Sequence, residues 1–229
     1  MSASYSLSGL DFFGTIMASV AHEMKNHLSV MNEQAGLLED WVGCVGQGME
    51  IEPEKLTVTA HKIQHRISLT NDVIQTMSRF AHSTDNQATE VILQDLLTLF
   101  CAVSQRILDM KKIRIIQTVP PTALMIESCA FVVMDLLWHC VSVMTRSVSG
   151  ETAITIKLES SEGGAQLSLF SEGCSSFWMH AIVNNATIAT IVDFLGVKMA
   201  VNKAEETVVL KFPPRQKKSK KEKKKNGDD

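Results

Sequence analysis

The sequence predicts an α+β chain in which an N-terminal antiparallel helical hairpin is followed by an α/β sandwich. Three observations point there. Apolar residues recur at spacings of three and four over two long N-terminal segments. A polar stretch, His82 to Ala88, then interrupts that pattern. Beyond it, segments of helical and strand character follow one another in the order helix, strand, strand, repeated to the end of the apolar sequence. On this reading residues 1–84 form the hairpin, residues 85–214 the sandwich and residues 215–229 a disordered, Lys-rich tail.

The first helix is predicted over about Asp11 to Trp41, on the spacing of Phe13, Met17, Val20, Met24, Leu28, Met31, Ala35, Leu38 and Val42, with Asp11 as its cap. Gly43, Gly46 and Gly48 break it, and Pro53 suits the first turn of the next helix. That helix runs to about Ala81. Its Leu56, Ala60, Ile63, Ile67, Thr70, Ile74, Met77 and Ala81 alternate spacings of four and three, the heptad pattern of coiled-coil-like packing. Two long helices with a short connection make an antiparallel pair. Alone, the pair leaves a stripe of Met, Ile and Leu in water. Two such hairpins bury it in a four-helix bundle, so a homodimer is expected, with the methionines as core and not as a metal site.

In the second part, Val91–Met110 reads as a helix. Ile113–Val119 and Ala123–Ile126 read as short strands around Pro120 and Pro121, and Cys129–Met144 as a strongly apolar helix. Ala153–Leu158 and Gln166–Phe170 alternate as strands joined through Glu162, Gly163 and Gly164. Ala186–Leu195 is a helix stopped by Gly196, and Val197–Val201 with Thr207–Phe212 closes the fold as a hairpin. The order implies a mixed sheet on one side of its helices.

Composition bounds the function. The apolar fraction of 45% and charged fraction of 21% are those of a globular protein with a packed core. No apolar run reaches the roughly 18 residues of a membrane helix, and no basic-then-apolar leader opens the sequence. Five cysteines, an odd number with no close pair, suit a reducing cytosol and argue against a disulfide framework or zinc knuckle. Eight of the 22 basic residues but only three of the 25 acidic ones lie at 215–229, so the remaining body carries a formal charge of −8. An acidic body is a poor platform for nucleic acid. The tail either keeps the protein in solution or touches an anionic surface.

The chemistry is concentrated in Ala21-His22-Glu23-Met24-Lys25-Asn26-His27-Leu28. At about 100° per residue, His22 points away from the stripe that carries Val20 and Met24, and Asn26 and Ser29 share its outer face. An imidazole with a pKa of about 6.5 is largely neutral in the cytosol and is a good nucleophile toward phosphorus. Glu23 could take the proton from the second ring nitrogen, and Asn26 could orient a water. His27 lies near the apolar stripe and reads as structural.

Val20-Ala21-His22-Glu23-Met24-Lys25-Asn26 resembles the phosphoacceptor box of sensor histidine kinases, S/A-H-E-x-x-N/T-P-L, with His27 where that family has proline. The resemblance implies that His22 is the phosphorylated histidine, Glu23 the assisting acid, and Asn26 the position linked with phosphatase activity. It continues into the second part, which is similar to the family's ATP-binding domain. Val133–Val141 corresponds to the helix of the N box, with His139 at the position of the Mg²⁺-holding Asn. Leu169–Cys174 corresponds to the first glycine box, with Ser171 at the adenine-reading Asp and Glu172 and Gly173 beside it. Asn184 and Asn185 stand where the glycines of the second box belong. A pocket near Asp135, His139, Ser171, Glu172 and Gly173 is thus expected to be degenerate, and His139 a hydrogen-bonded core residue in preference to a metal ligand. Each missing polar partner removes about 1–3 kcal/mol of recognition, so no tightly bound cofactor is expected and ATP least of all.

The resemblance implies a histidine phosphotransfer protein of two-component signalling, cytoplasmic and dimeric. It would pass a phosphoryl group between His22 and an aspartate of a response-regulator receiver domain, which supplies the Mg²⁺. Ala18, Ser19, Lys25 and Ser29 around His22 would form the docking face, and the signal would come through another protein. The alternatives are an active kinase with an atypical ATP pocket and a non-enzymatic dimeric adaptor.

Overall fold

The computed structural model describes residues 3–85, 88–147, 150–161, 164–171 and 177–213, with side-chain surroundings from residue 9 onward. Glu162 and Gly163 of the expected turn, Glu172, Gly173 and the Lys-rich tail lie outside the described residues.

Two long helices come first, α1 (Ala3–Gly46) and α2 (Pro53–His82). Pro53 opens α2, where its missing N–H costs nothing. α1 is longer at both ends than its periodicity suggests. Asp11 does not cap it but lies inside it, where its carbonyl accepts the Thr15 hydroxyl at 2.7 Å. Packing explains the extension. Gly9 is buried so close to the α/β part that a Cβ there would come within 3.2 Å of the Phe131 ring. Burial of Phe12 and Ile16 then stabilises turns that propensity alone would leave open.

The α/β part runs β1 (Thr89–Ile92), α3 (Leu93–Asp109), β2 (Ile113–Thr118), β3 (Met125–Ser128), α4 (Ala130–Arg146), β4 (Thr152–Ser161), β5 (Gly164–Ser171), α5 (Phe177–Val183), α6 (Ala186–Leu195), β6 (Lys198–Asn202) and β7 (Thr207–Phe212). The sheet order is β2-β4-β5-β7-β6, parallel between β2 and β4 and antiparallel elsewhere. This is the mixed sheet the sequence implies. Three details differ. Residues 89–92, whose end the periodicity assigns to a helix, form β1, which pairs antiparallel with β3. β3 itself starts at Met125 and not at Ala123, because the Leu124 carbonyl is taken by the first N–H of α3, Leu93, at 2.9 Å. The short α5 has no counterpart in the sequence pattern; it buries Trp178, Met179 and Ile182.

α6 has clear local punctuation. Asn185 Oδ1 accepts from Ile188 N at 3.1 Å at its start, and Gly196 ends it in the left-handed region at φ 63°. The core lies between the sheet and α3, α4 and α6, and is continuous with the N-terminal third of the hairpin through Phe12, Ile16, Val20 and Phe80.

One aromatic cluster joins the two parts. Phe12 lies 5.4 Å from Phe80, 5.6 Å from Phe131 and 5.7 Å from Trp138, measured between ring centroids, and Phe13 stacks on Phe80 at 5.6 Å. Phe131 and Trp138 belong to α4, so the start of α1 and the end of α2 are fastened to the helical layer.

Farther along, the hairpin is not covered. Within one chain α2 buries Thr59, Thr70 and Phe80, whereas Leu56, Ile67 and Ile74 of the heptad stripe are 41%, 46% and 45% exposed. On α1, Leu28 and Val42 are likewise in water. No helix among the described residues is long and apolar enough to cross a membrane.

Candidate functional site

His22 stands on α1 between buried Val20 and half-buried Met24, and its own side chain is exposed. Ala18, Ala21, Lys25, Asn26 and Ser29 are exposed with it, and Ser19 is half-buried. His22, Ala18, Lys25 and Ser29 thus lie on the outer side of a helix whose inner side is packed, with Ser19 at its edge. Among the described residues His22 has no hydrogen-bond or ion-pair partner.

Glu23 and His27 turn inward. Glu23 is half-buried, and its Oε1 lies 3.9 Å from His27 Nε2, one helical turn on. His27 is buried, with its Nδ1 3.4 Å from Nη1 of Arg66 on α2. A guanidinium only donates. Nδ1 of His27 is therefore the acceptor, and the ring hydrogen sits on Nε2, facing the Glu23 carboxylate. Glu23, His27 and Arg66 thus lie in a row that runs from α1 to the opposite helix of the hairpin. Sequence periodicity places His27 near the packed face but gives no sign of Arg66, which is 39 residues away.

A cavity of about 320 Å³ opens on the same side, where α1, α2 and α3 meet. Ser19, Glu23 and His27 line it from α1, Asp72 from α2 and Arg106 from α3. Arg106 is the cation that the α/β part contributes next to the His22 region, and the sequence offers no signal for it.

The second candidate region is of another kind. Asp135 on α4 is fully buried, with Oδ1 3.3 Å from Nε2 of half-buried His139 at i+4. A Cβ on Gly9 would lie 4.0 Å from Asp135 Oδ2, so this carboxylate is turned toward α1. Ser171 is buried at the end of β5 and donates its hydroxyl to the Ala153 carbonyl at 2.8 Å. The chain thus brings Asp135 and His139 together, while the polar group of Ser171 is spent inside the sheet. Among the described residues no cluster of three or more His, Cys, Asp or Glu could hold a metal ion.

Two cysteines are withdrawn from water, Cys140 buried and Cys101 half-buried. Burial pushes the Cys140 thiol up to about 12, and burial, offset in part by a hydrogen bond with Gln117, pushes Cys101 up to about 11. Both are held as neutral thiols.

The sequence matches no protein-family model and no curated protein. Solved structures do show similarity. The catalytic domain of the histidine kinase ThkA is 16% identical over 58% of this chain and 100% of its own, with a TM-score of 0.48. The Acinetobacter baumannii histidine kinase AdeS is 12% identical over 85% of this chain and 98% of its own, at 0.46. A bacterial phosphotransferase is 12% identical over 92% of this chain and 97% of its own, at 0.45.

Proposed function

We propose that this chain is a dimeric histidine phosphotransfer protein of two-component signalling, passing a phosphoryl group between His22 and a response-regulator aspartate. The observation that carries the reading is the exposed, uncommitted ring of His22 on a helix whose neighbouring positions, Val20 and His27, are buried. In the uptake direction a ring nitrogen of neutral His22 attacks the phosphorus of a partner's aspartyl phosphate. An N–P bond forms, the P–O bond to the aspartyl carboxylate breaks, and that carboxylate leaves with its electron pair. The proton on the other ring nitrogen passes to an acceptor, for which Glu23 is the adjacent candidate. The return reaction reverses each step. Such transfer depends on positioning and charge neutralisation more than on covalent help from the protein. An exposed imidazole with a docking face of Ala18, Ser19, Lys25 and Ser29 is the part this chain would supply, and Mg²⁺ would come with the partner.

On this reading the residues that stand at the positions of the nucleotide boxes leave ATP few polar partners. His139 stands at the position matching the family's metal-holding Asn, 3.3 Å from buried Asp135, and the Ser171 hydroxyl is donated to the Ala153 carbonyl. We therefore assign no autokinase step, and the α/β part acts as a scaffold and docking wall. Dimerisation follows from the exposed heptad stripe of Leu56, Ile67 and Ile74, which a second hairpin would bury as a four-helix bundle.

The test is transfer of label from a phosphorylated receiver domain. Wild-type protein should take it up and His22→Ala should not. A titration with MgATP should show no micromolar binding. Micromolar affinity would favour an active kinase, and receiver binding without label would leave a non-enzymatic adaptor.

A further inference from the structure

We propose that the docking face at His22 is completed by a second copy of this chain, which sets Gln64, Asn71 and Gln75 of the partner subunit beside Ser29, His22 and Ala18. The proposal rests on the dimeric phosphotransfer reading and adds the second copy's share of the site to it. On α1, Leu10 and Leu28 are 63% and 56% exposed, and Ala21 lies on the same line of the helix. On α2, exposed Ile67 and Ile74 form the matching line.

Both lines lie on one side of the hairpin. α3 packs on the other side, against Ser19 and Glu23 of α1 and Leu69 and Thr76 of α2. At about 100° per residue, the α1 positions that meet α2, Phe13 and His27, fall between that side and the line of Leu10, Ala21 and Leu28. Arg66 and Phe80, which meet α1, fall likewise between the α3 side and Ile67 with Ile74. His22 stands about 100° beyond Ala21, on the flank of the hairpin. Three contacts fix the level of one helix against the other. Phe80 meets Phe12 and Phe13, and Arg66 meets His27. In that antiparallel register His22 is level with Asn71, Ala18 with Gln75 and Ser29 with Gln64. Within one chain these three exposed residues of α2 are turned away from α1, about 140–180° around the helix from Arg66. A twofold axis parallel to the helices sets each α1 against the second copy's α2 at the same level and buries both apolar lines. It turns Asn71 of the partner subunit toward the flank that carries His22. The 30 residues of α2 make this face about 45 Å long, and two helices make it about 20 Å wide. It thus offers about 900 Å² per copy, where a standard stable interface takes about 800 Å².

The experiment is transfer of label from a phosphorylated receiver domain to heterodimers of the full chain, co-expressed with two tags and purified through both. Asn71→Glu with Gln75→Glu, at exposed helical positions, sets negative charge against the phosphorylated receiver. In the homodimer this pair should raise the half-saturating receiver concentration about tenfold and leave the dimer intact in sedimentation. In the first heterodimer one chain carries His22→Ala and the other carries Asn71→Glu with Gln75→Glu. Its intact His22 then faces an unaltered α2 from the other copy, and uptake per intact His22 should match that of wild type. In the second heterodimer one chain carries all three substitutions and the other none. Its intact His22 then faces the altered helix, and half-saturation should rise about tenfold. The reverse pattern would place the contributing helix in the same chain as the histidine and overturn the proposal. Equal uptake by the two heterodimers overturns it as well. Label on a monomeric wild type overturns it and keeps the phosphotransfer reading, whereas no label on wild type removes both.

Discussion

His22 on α1 and His139 on α4 are both helical histidines with a carboxylate close in sequence, and the fold treats them in opposite ways. His22 is exposed and uncommitted, with Glu23 beside it turned inward to His27. His139 is half-buried against Asp135, which has no exposure at all. The same pair of residue types is therefore open to solvent in one region and packed in the other. What decides is which partner the surrounding helices leave available. Asp135 Oδ1 approaches His139 Nε2 at 3.3 Å without a hydrogen bond between them, and the ring is packed where that of His22 is open. An exposed imidazole on a packed helix has nothing to lose by meeting a phosphoryl group.

The sharpest way to break this comparison is to remove one member from each region. His22→Ala should abolish phosphohistidine labelling and leave the unfolding midpoint unchanged, because surface substitutions seldom exceed about 0.5 kcal/mol. Asp135→Ala should do the reverse. It removes a fully buried side chain and should cost about 0.5–3 kcal/mol, while labelling per folded molecule stays at the wild-type level. Chemical denaturation beside the label assay reads both. Loss of labelling in folded Asp135→Ala protein would give α4 a part in the chemistry and undo the contrast.

Phe12→Ala tests what holds the two regions together. The ring is 1% exposed and touches Phe80, Phe131 and Trp138. Its removal should cost about 3–5 kcal/mol, and it should first loosen the hairpin from α4. Hydrogen exchange would show protection lost at the start of α1 and the end of α2 before it is lost in β4 and β5. Uniform loss throughout would mean that the hairpin and the sheet unfold as one cooperative unit.

A third substitution acts on the uncovered face. Ile67→Glu combined with Ile74→Glu places charge on the exposed heptad stripe. Each isoleucine buried in a dimer contributes about 1.5–3 kcal/mol, so the double variant should weaken association at least about a hundredfold and leave the single-chain fold intact. Sedimentation at micromolar concentration should show wild type as a dimer and the variant as a monomer. A monomeric wild type would remove the four-helix bundle from the proposal.

Local signals are readable in the sequence, and long-range ones are not. α6 is legible from residue 186 to residue 195 because its cap and its stop, Asn185 and Gly196, are both adjacent to it. The outward aspect of His22 follows from helical period alone. Periodicity misses β1 because Val91 and Ile92 run into Leu93 without a break, and only pairing with β3 shows them to be a strand. The bond from Arg66 to His27 is invisible for the same reason. It crosses the hairpin, and Arg66 sits between Ile63 and Ile67 of the heptad, where periodicity carries no information about what it meets. Asp11 looks like a cap because the turns before it lack apolar period; their order comes from contact with α4.

The smallest expected effect concerns the cysteines, and it sharpens the same lesson that environment decides reactivity. The Cys140 thiol is raised from 9.0 to about 12 by burial, and Cys101 from 9.0 to about 11. A folded-state value raised above the unfolded one means that the native protein holds the proton more tightly. The stability linked to these thiols is thus fully present below pH 9 and is lost as pH climbs from there toward 11 for Cys101 and 12 for Cys140. At pH 8 the native Cys101 should hold about a hundredfold less thiolate than an unperturbed cysteine, and Cys140 less again. Peptide mapping after brief treatment with iodoacetamide should find both unmodified in native protein and modified once it is unfolded. Because Cys101 sits on α3 and Cys140 inside α4, early modification of Cys140 ahead of Cys101 would show that α4 opens more readily than its burial implies. That result would also weaken the structural role of Asp135 and His139, which share that helix.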